Sequence, residues 1–292
     1  MLMLPSRNLS EATVIAIALT STALGTLLPI LREGKETGTP LGKSVLTHGA
    51  VGELGPVIAM ALLLTSREPL VSIAVLGVFA AVAVLAAVTP RTLIASAPFI
   101  HRLMRTGAHA TTQTTIRGVF FLLTALMAVA IMFDLDVVLG AFAAGIILRR
   151  IGVEDDLFLE PKLDAIAYGI FVPVFFVDTG MHIYVSVVTE RPLQIAGIVG
   201  LIALVRGVPV FLSEKFFPTG SGLVSFRSQV RLGLYAATGL PIIVAVTKIA
   251  EASDLINHTS SSMLVMAGAF TVLLFPPTAK LLRERDPRKR SL

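Results

Sequence analysis

Residues 44–65 read SVLTHGAVGELGPVIAMALLLT, an apolar run that is long enough to cross a bilayer as one helix. One acidic residue, Glu53, stands inside it, ten residues past Lys43 and so about 15 Å along a helix axis. A charge at that depth is costly, and it is a functional-site hypothesis by default. The stretch therefore predicts a membrane-spanning helix that carries a functional carboxylate.

The composition extends this interpretation to the whole chain. Of 292 residues, 54% are hydrophobic and only 15% are charged, whereas soluble domains carry about 25% charged residues. The absence of Cys excludes disulfide scaffolds, thiolate metal sites and cysteine nucleophiles. The net charge is +5, but the basic residues lie in short loops without aromatic partners, so we expect no nucleic-acid partner. We predict one all-α polytopic membrane domain over residues 1–292.

The pattern of apolar stretches and basic loops predicts the topology. Lys and Arg collect in every second loop, and the other loops hold only Arg67 and Arg191. Cytoplasmic loops carry the positive excess, so we expect a cell (inner) membrane protein with its N-terminus outside and its C-terminus in the cytoplasm. About nine spans are predicted, near residues 9–31, 44–65, 70–89, 115–133, 136–149, 163–188, 193–214, 230–250 and 261–282.

Two further segments follow from the same pattern. Residues 90–114 are expected to form a cytoplasmic linker, either an interfacial amphipathic helix or a solvated loop. Residues 284–292 are expected to form a basic cytoplasmic tail.

Two more charged residues fall inside predicted spans. Arg206 lies nine residues before Lys215, about 13 Å from the same membrane face as Glu53. Asp178 interrupts the apolar run FVPVFFVDTGM at 171–181. We expect Arg206 to be held by an acid or by the carbonyl ends of half-helices. Asp178 and Glu53 are the candidate acids, and we assign Asp178 to structure and Glu53 to ion binding. The alternative is a buried ion pair that only fixes helix packing.

Pro56 gives Glu53 a second distinguishing feature. A proline inside a helix lacks its N–H, so the carbonyl of Gly52, four residues earlier, is predicted to be unpaired. A carboxylate beside a free carbonyl oxygen suits a small hard cation or a proton. The alternative is that a neighbouring hydroxyl or water satisfies this carbonyl. His48 is expected to line a funnel rather than to act as a ligand.

Two spans are interrupted by helix-breaking residues. The first contains TSTALGTLLP at 20–29, and the eighth contains AATGLP at 236–241. Discontinuous helices in corresponding positions of two halves indicate a transporter site, because half-helix ends carry partial charges that can hold ions. We therefore predict two broken core helices.

Several of these stretches resemble the cation/proton antiporter superfamily, in its bacterial Kef-type and NapA-like branch. The resemblance runs from about residue 10 to 283. The stretches that carry it are TSTALGTLLPIL at 20–31, THGAVGELGPVIAMALLL at 47–64, LGAFAAGIILRR at 139–150, FVPVFFVDTGM at 171–181, LIALVRGVPVFL at 201–212 and LYAATGLPIIVAVT at 234–247.

The resemblance implies a partial inverted-repeat antiporter fold and a homodimer. It implies that Glu53 binds the cation or proton, and that Arg206 is the basic residue of its helix. Gly52, Thr22, Thr238 and Asp178 join Glu53 in the implied ion site. Members of that family begin with about three more spans, so the resemblance also implies an N-terminal truncation. In this sequence Gly52 stands where the family usually has an acidic residue, Asn or Gln, and the acid that follows is Glu rather than Asp.

The function expected from these residues is exchange of Na⁺ or K⁺ for protons by alternating access around Glu53. Its partners are the cation, protons and membrane lipid, and it needs no cofactor and no enzyme chemistry. A first alternative is a non-transporting membrane subunit or truncated product. A second is a membrane-embedded enzyme, but the intramembrane residues offer no clear Ser/His pair, paired-Asp metal site or phosphate clamp.

Overall fold

A computed structural model describes residues 9–63, 77, 81, 114–133, 135, 137–151, 159–181, 186–217 and 219–283. Within these residues all regular structure is helical. We number the helices as α1 (Leu9–Leu19), α2 (Leu24–Glu33), α3 (Pro40–Leu63), α4 (Thr114–Met132), α5 (Val137–Ile151), α6 (Leu159–Ile166, Ala167–Phe171 and Val172–Met181), α7 (Ser186–Glu190), α8 (Pro192–Ile202, Ala203–Gly207 and Val208–Phe216), α9 (Phe226–Ala236), α10 (Leu240–Ala252) and α11 (His258–Leu281).

Six stretches of these helices are long and apolar enough to cross a membrane. They are Leu9–Glu33, Thr115–Met132, Pro161–Met181, Pro192–Phe216, Phe226–Ala252 and His258–Leu281. The predicted span at 44–65 falls in α3, and the short one at 136–149 falls in α5. The predicted span at 70–89, the linker at 90–114 and the tail at 284–292 lie outside the described residues, save Gly77, Ala81 and Thr114. The all-helical, multi-pass architecture is confirmed, and the count of nine spans stays a prediction.

The chain divides into two compact units. Residues Met1–Leu64 and Ile183–Leu292 form the core unit, which contains α1–α3 and α7–α11. Residues Thr65–His182 form the second unit, which contains α4–α6. The apolar interior of the core unit includes a cluster shared by α2, α3, α8, α9 and α11. Its members are Leu27, Leu31, Leu41, Val45, Val210, Leu232, Tyr235, Ala236 and Ala279.

Both predicted helix breaks are present in the core unit. The first covers residues 20–23, between α1 and α2. The hydroxyls of Thr20 and Ser21 donate to the carbonyls of Ile17 and Ala18 at 3.0 and 2.7 Å, so these side chains compete with the backbone for the helical acceptors. Pro29 lies inside α2, so the hydroxyl residues rather than the proline mark the break.

The second break covers residues 237–239, between α9 and α10. Thr238 donates its backbone N–H to the carbonyl of Tyr235 and its hydroxyl to the carbonyl of Leu234. These two bonds end α9. Pro241 then lies in the first turn of α10, where a missing N–H costs little.

Two helices contain a widened, π-helical turn. These turns are Ala167–Phe171 in α6 and Ala203–Gly207 in α8. Turns of this kind are rare and are found often at functional sites. The turn in α8 contains Arg206, so it lies at one of the predicted intramembrane charges.

In the second unit, α4 and α5 pack closely at Gly140. A Cβ atom at Gly140 would lie 2.5 Å from the carbonyl oxygen of Leu126 and 2.7 Å from the Cα of Met127. Only a glycine fits that approach, which is the small-residue packing common between membrane helices.

Candidate ion-binding site

The two broken helices cross each other at their breaks. The backbone N–H of Ala23 donates to the carbonyl of Thr238 at 2.8 Å. The hydroxyl oxygen of Ser21, whose proton goes to Ala18, lies 3.4 Å from the carbonyl oxygen of Gly239, and a Cβ atom at Gly239 would lie 2.8 Å from the Ser21 carbonyl oxygen. The crossing therefore brings two helix C-termini and two helix N-termini together, with Ser21 and Thr238 fully buried.

Helix α3 lies against this crossing through the residue that precedes Glu53. The backbone N–H of Thr22, released by the first break, donates to the carbonyl of Gly52 at 2.9 Å. This is the carbonyl that Pro56 deprives of its helical donor. The expectation of an unpaired Gly52 carbonyl is therefore wrong, because two defects in different helices satisfy each other. The bond attaches the turn of α3 that contains Glu53 to the first broken helix.

Thr22 joins both broken helices to the half-buried guanidinium of Arg206. Its hydroxyl donates to the carbonyl of Ala236, the last residue of α9, at 2.5 Å. The same oxygen accepts a hydrogen bond from Nε of Arg206 at 2.9 Å. A threonine hydroxyl has one proton to donate, and Ala236 receives it. Thr22 is fully buried, so the loss of its hydroxyl would leave these groups without a partner.

Arg206 is held by oxygen atoms rather than by an acid within the core unit. Its Nη2 donates to the carbonyl of His48 at 2.7 Å, in addition to the bond from Nε to Thr22. Among the described residues it forms no salt bridge. The guanidinium stands close to the C-terminal end of α9, where the helix dipole favours a positive charge.

Gly52 makes this arrangement possible because it has no side chain. A Cβ atom there would overlap the guanidinium of Arg206, and it would lie 2.5 Å from Oγ1 of Thr22. The space that a side chain would fill is thus occupied by the guanidinium, which reaches the His48 carbonyl one turn earlier on α3. A larger residue at position 52 is incompatible with this position of Arg206.

Glu53 is half-buried beside this network and takes no part in it. Within the part of the chain that the structure describes, its carboxylate has no hydrogen-bond or ion-pair partner. Such a group can bind a proton or a cation without first breaking a bond. No cluster of three or more His, Cys, Asp or Glu residues that could hold a metal ion occurs in the described segments.

The other predicted site residues are distributed differently. Thr22 and Gly52 lie at the crossing, and Gly52 directly precedes Glu53. Thr238 lies in the second break, where its carbonyl accepts the Ala23 N–H. Asp178 lies in α6 of the second unit. Its pairing with Arg206 therefore stays a prediction.

Sequence reasoning missed the role of His48. Its backbone carbonyl accepts from Arg206, and its ring nitrogen Nε2 lies 3.3 Å from Oε1 of Glu214, a residue near the end of α8. Glu214 is buried and accepts hydrogen bonds from Thr219 at 2.7 Å and Ser221 at 2.5 Å. The turn in α8 was missed too, although Pro209, two residues beyond it, was a visible signal.

Two discontinuous membrane helices that cross beside a carboxylate and a half-buried guanidinium are typical of one class, the secondary transporters built on broken helices. The particular family follows from comparison with known sequences. The model of the family described as "Sodium/hydrogen exchanger, transmembrane" matches residues 1–283. The chain therefore belongs to the sodium/hydrogen exchanger family, within the cation/proton antiporter superfamily.

Several curated relatives carry related names. YjbQ of Bacillus subtilis (strain 168), named among the Na(+)/H(+) antiporters, is 22% identical over 95% of this chain and 44% of its own length. The Na(+)/H(+) antiporter of Enterococcus hirae is 24% identical over 94% of this chain and 70% of its own length. The Na(+)/H(+)-K(+) antiporter GerN of Bacillus cereus is 28% identical over 49% of this chain and 35% of its own length. The chain thus spans less than half the length of two of these three proteins.

Proposed function

We propose that this protein exchanges a monovalent cation, Na⁺ or K⁺, for protons by alternating access around Glu53. The observation that carries the proposal is the bond from the Thr22 N–H to the Gly52 carbonyl. It links the crossing of the broken helices to the turn that holds Glu53, whose carboxylate has no partner among the described residues. Membership of an antiporter family supports the exchange reaction, and the name of GerN, an Na(+)/H(+)-K(+) antiporter, supports both cations as candidates.

The exchange requires only that a proton and a monovalent cation compete for one group, the carboxylate of Glu53. A protonated Glu53 is neutral, and a deprotonated Glu53 is neutralised by a bound monovalent cation. Either form avoids an isolated charge in the membrane interior, which is the costly state. Because the empty, ionised carboxylate is the unfavourable form, the site changes sides mainly when it is loaded, and this couples the two fluxes.

The oxygen atoms for the cation come from the neighbourhood of Glu53. We assign Gly52, Thr22 and Thr238 to this role, and Asp178 as a further acid. The Thr22 hydroxyl proton is committed to Ala236, so this residue offers an oxygen lone pair rather than a donor, as a cation requires. Arg206 fills a structural role, since its contacts hold α3 and α8 at the crossing.

The remaining features of the proposal follow from topology and from the family resemblance. We place the protein in the cell membrane with its N-terminus outside and its C-terminus in the cytoplasm. We expect a homodimer, with membrane lipid around it. The binding of a proton or cation at Glu53 depends neither on this orientation nor on the homodimer.

The test is Glu53→Gln, which keeps the shape of the side chain but cannot ionise. Everted membrane vesicles with the full chain are assayed for cation-dependent dequenching of a pH-sensitive dye. We expect Glu53→Gln to abolish dequenching and Glu53→Asp to retain part of it. The matched control is Glu190→Gln, the same change at an exposed residue of α7.

Two results would contradict the proposal. Dequenching in Glu53→Gln equal to that of the unaltered chain would remove Glu53 from the mechanism. No dequenching with the unaltered, correctly inserted chain would favour the alternative of a non-transporting membrane subunit.

A further inference from the structure

A polar cavity of about 400 Å³ lies at the end of the core unit where α2 meets α3. Its walls come from three parts of the chain: the α2–α3 connection, the segment that leads into α9, and the end of α11. The residues that line it are Glu36, Thr39, Pro40, Leu41, Gly222, Leu223, Val224, Ser225, Ser228, Arg231 and Arg283. A cavity of this volume is in the range of small-ligand sites. It is separate from the crossing at Glu53, and it plays no part in the proposed exchange.

The charged residues of the cavity wall do not balance. Glu36 is buried, and its Oε1 accepts from Nη2 of Arg231 at 2.5 Å. The side chain of Arg231 is also buried, with 8% exposed, and its Nε donates to the carbonyl of Ala279 at 2.8 Å. This pair is a complete ion pair by itself. Arg283 therefore brings a second positive charge to a carboxylate that is already neutralised.

Arg283 is held only loosely. Its Nε lies 3.5 Å from Oε1 of Glu36, and its Nη1 donates to the carbonyl of Gly34 at 3.3 Å. Among the described residues, no partner contacts its Nη2. Half of the side chain is exposed. A guanidinium with one nitrogen open to a cavity is suited to donate a charge-assisted hydrogen bond to an oxyanion.

Hydroxyl groups also line the cavity. Ser225 accepts the backbone N–H of Ser228 at 3.2 Å, and the two hydroxyl oxygens lie 3.4 Å apart. A serine hydroxyl can turn to donate to a ligand. The wall thus combines fixed positive charge with small donors, a chemistry that fits a phosphate group.

We propose that this cavity binds a phosphate group, with Arg283 as its main charged contact and with Ser228 as a hydroxyl donor. The topology predicted from the loops places the cavity at the cytoplasmic membrane surface. Two sources present the same chemistry there, the phosphate of a lipid headgroup and a soluble phosphate ester. In both cases the ligand joins the α2–α3 connection to α9 and α11.

The experiment measures the thermal unfolding midpoint of the full chain in detergent. Inorganic phosphate and glycerol 3-phosphate are titrated against sodium chloride of equal ionic strength. We expect both phosphates to raise the midpoint. Because a charge-assisted hydrogen bond contributes about 1.5–3 kcal/mol, Arg283→Gln should raise the half-maximal phosphate concentration about tenfold or more.

Two further variants separate binding from folding. Arg227→Gln removes the same charge from an exposed residue of α9 that does not line the cavity, and it should respond to phosphate like the unaltered chain. Ser228→Asp leaves the Glu36–Arg231 pair intact but places a negative charge in the cavity, and it should lose the response.

The source of the phosphate is decided in lipid nanodiscs. A midpoint raised by phosphatidylglycerol over phosphatidylcholine, and lost in Arg283→Gln, identifies a lipid headgroup. A response to glycerol 3-phosphate alone identifies a soluble ligand. The proposal is overturned by the absence of both responses, or by equal responses in Arg283→Gln and Arg227→Gln. No ion flux is measured, so the outcome is independent of the exchange reaction.

Discussion

Position 52 shows how one glycine shapes the candidate site. Because it lacks a side chain, the guanidinium of Arg206 reaches the carbonyl of His48, and the Thr22 hydroxyl can lie beside it. The neighbouring Gly55 lies on the same helix, but a Cβ atom there would have no atom within 4 Å. Packing therefore requires a glycine at position 52 but not at position 55, although the two glycines look alike in sequence.

This difference can be measured by adding a methyl group at each position. Gly52→Ala should destabilise the protein by about 1–3 kcal/mol, as overpacking of a filled site does. Gly55→Ala should be neutral or slightly stabilising, because alanine is the better helix former. Thermal unfolding in detergent gives both values. Equal midpoints for the two variants would contradict the packing at Gly52.

At this scale the sequence predicts which residues matter better than it predicts how they bond. The cost of burying a charge makes Glu53 and Arg206 visible in any apolar run. The partners of Arg206 are a backbone carbonyl and a threonine hydroxyl on other helices, and neither carries a local signal. The carbonyl of Gly52 was predicted to be free for the same reason, since its donor lies thirty residues away at Thr22.

The helices of this protein are interrupted in two distinct ways. Breaks at residues 20–23 and 237–239 separate half-helices, whereas α6 and α8 stay continuous through widened turns. Each widened turn is followed by the same four residues, at Val172–Phe175 and at Val208–Phe211. The proline in each copy lacks an N–H, and its ring crowds the preceding turn. Widening that turn accommodates the proline without ending the helix.

The breaks were predictable from sequence, and the widened turns were not. Hydroxyl residues followed by Gly or Pro indicate a break, because their side chains compete for helical acceptors. A single proline in an apolar run is also compatible with a simple kink, as at Pro56 in α3. Only the packing around the helix selects between these outcomes. Gly207 and Gly233 contribute to it, since α8 and α9 approach closely at this pair.

The contact between the two broken helices can be tested at Thr22. Thr22→Val keeps the shape but removes the hydroxyl that joins Ala236 to Arg206. We expect a loss of about 1–3 kcal/mol, because buried polar groups would lose their partner. Thr22→Ser retains the hydroxyl and should recover most of this stability. Equal thermal unfolding midpoints for Thr22→Val and Thr22→Ser would argue against the contact.

At the scale of the molecule, the core unit and the second unit differ in chemistry. The crossing, Glu53, Arg206 and the polar cavity all belong to the core unit. The second unit contributes Asp178 and two closely packed apolar helices, α4 and α5. This separation is invisible in composition, because the described residues of both units are mostly apolar and helical.

The predicted orientation applies to the whole molecule and can be tested with single cysteines. The chain contains no Cys, so each introduced thiol is unique. Thr37→Cys lies in the connection predicted to be cytoplasmic, and Ser253→Cys lies in one predicted to be outside. An impermeant thiol reagent should label only Ser253→Cys in intact cells and only Thr37→Cys in everted vesicles. Labelling of Thr37→Cys from outside would reverse the topology.

The crossing of the broken helices also has a kinetic consequence. The amides of Thr22 and Ala23 lie outside any helix, yet Thr22 donates to the carbonyl of Gly52 in α3, and Ala23 donates to that of Thr238 in the second break. Their exchange with deuterium is therefore controlled by separation of the helices and not by local fraying, since local opening leaves these bonds intact. Slow deuterium uptake at these two non-helical residues would report the rate at which the crossing opens. Deuterium uptake as fast as in the exposed α10–α11 connection would mean that the half-helices separate frequently.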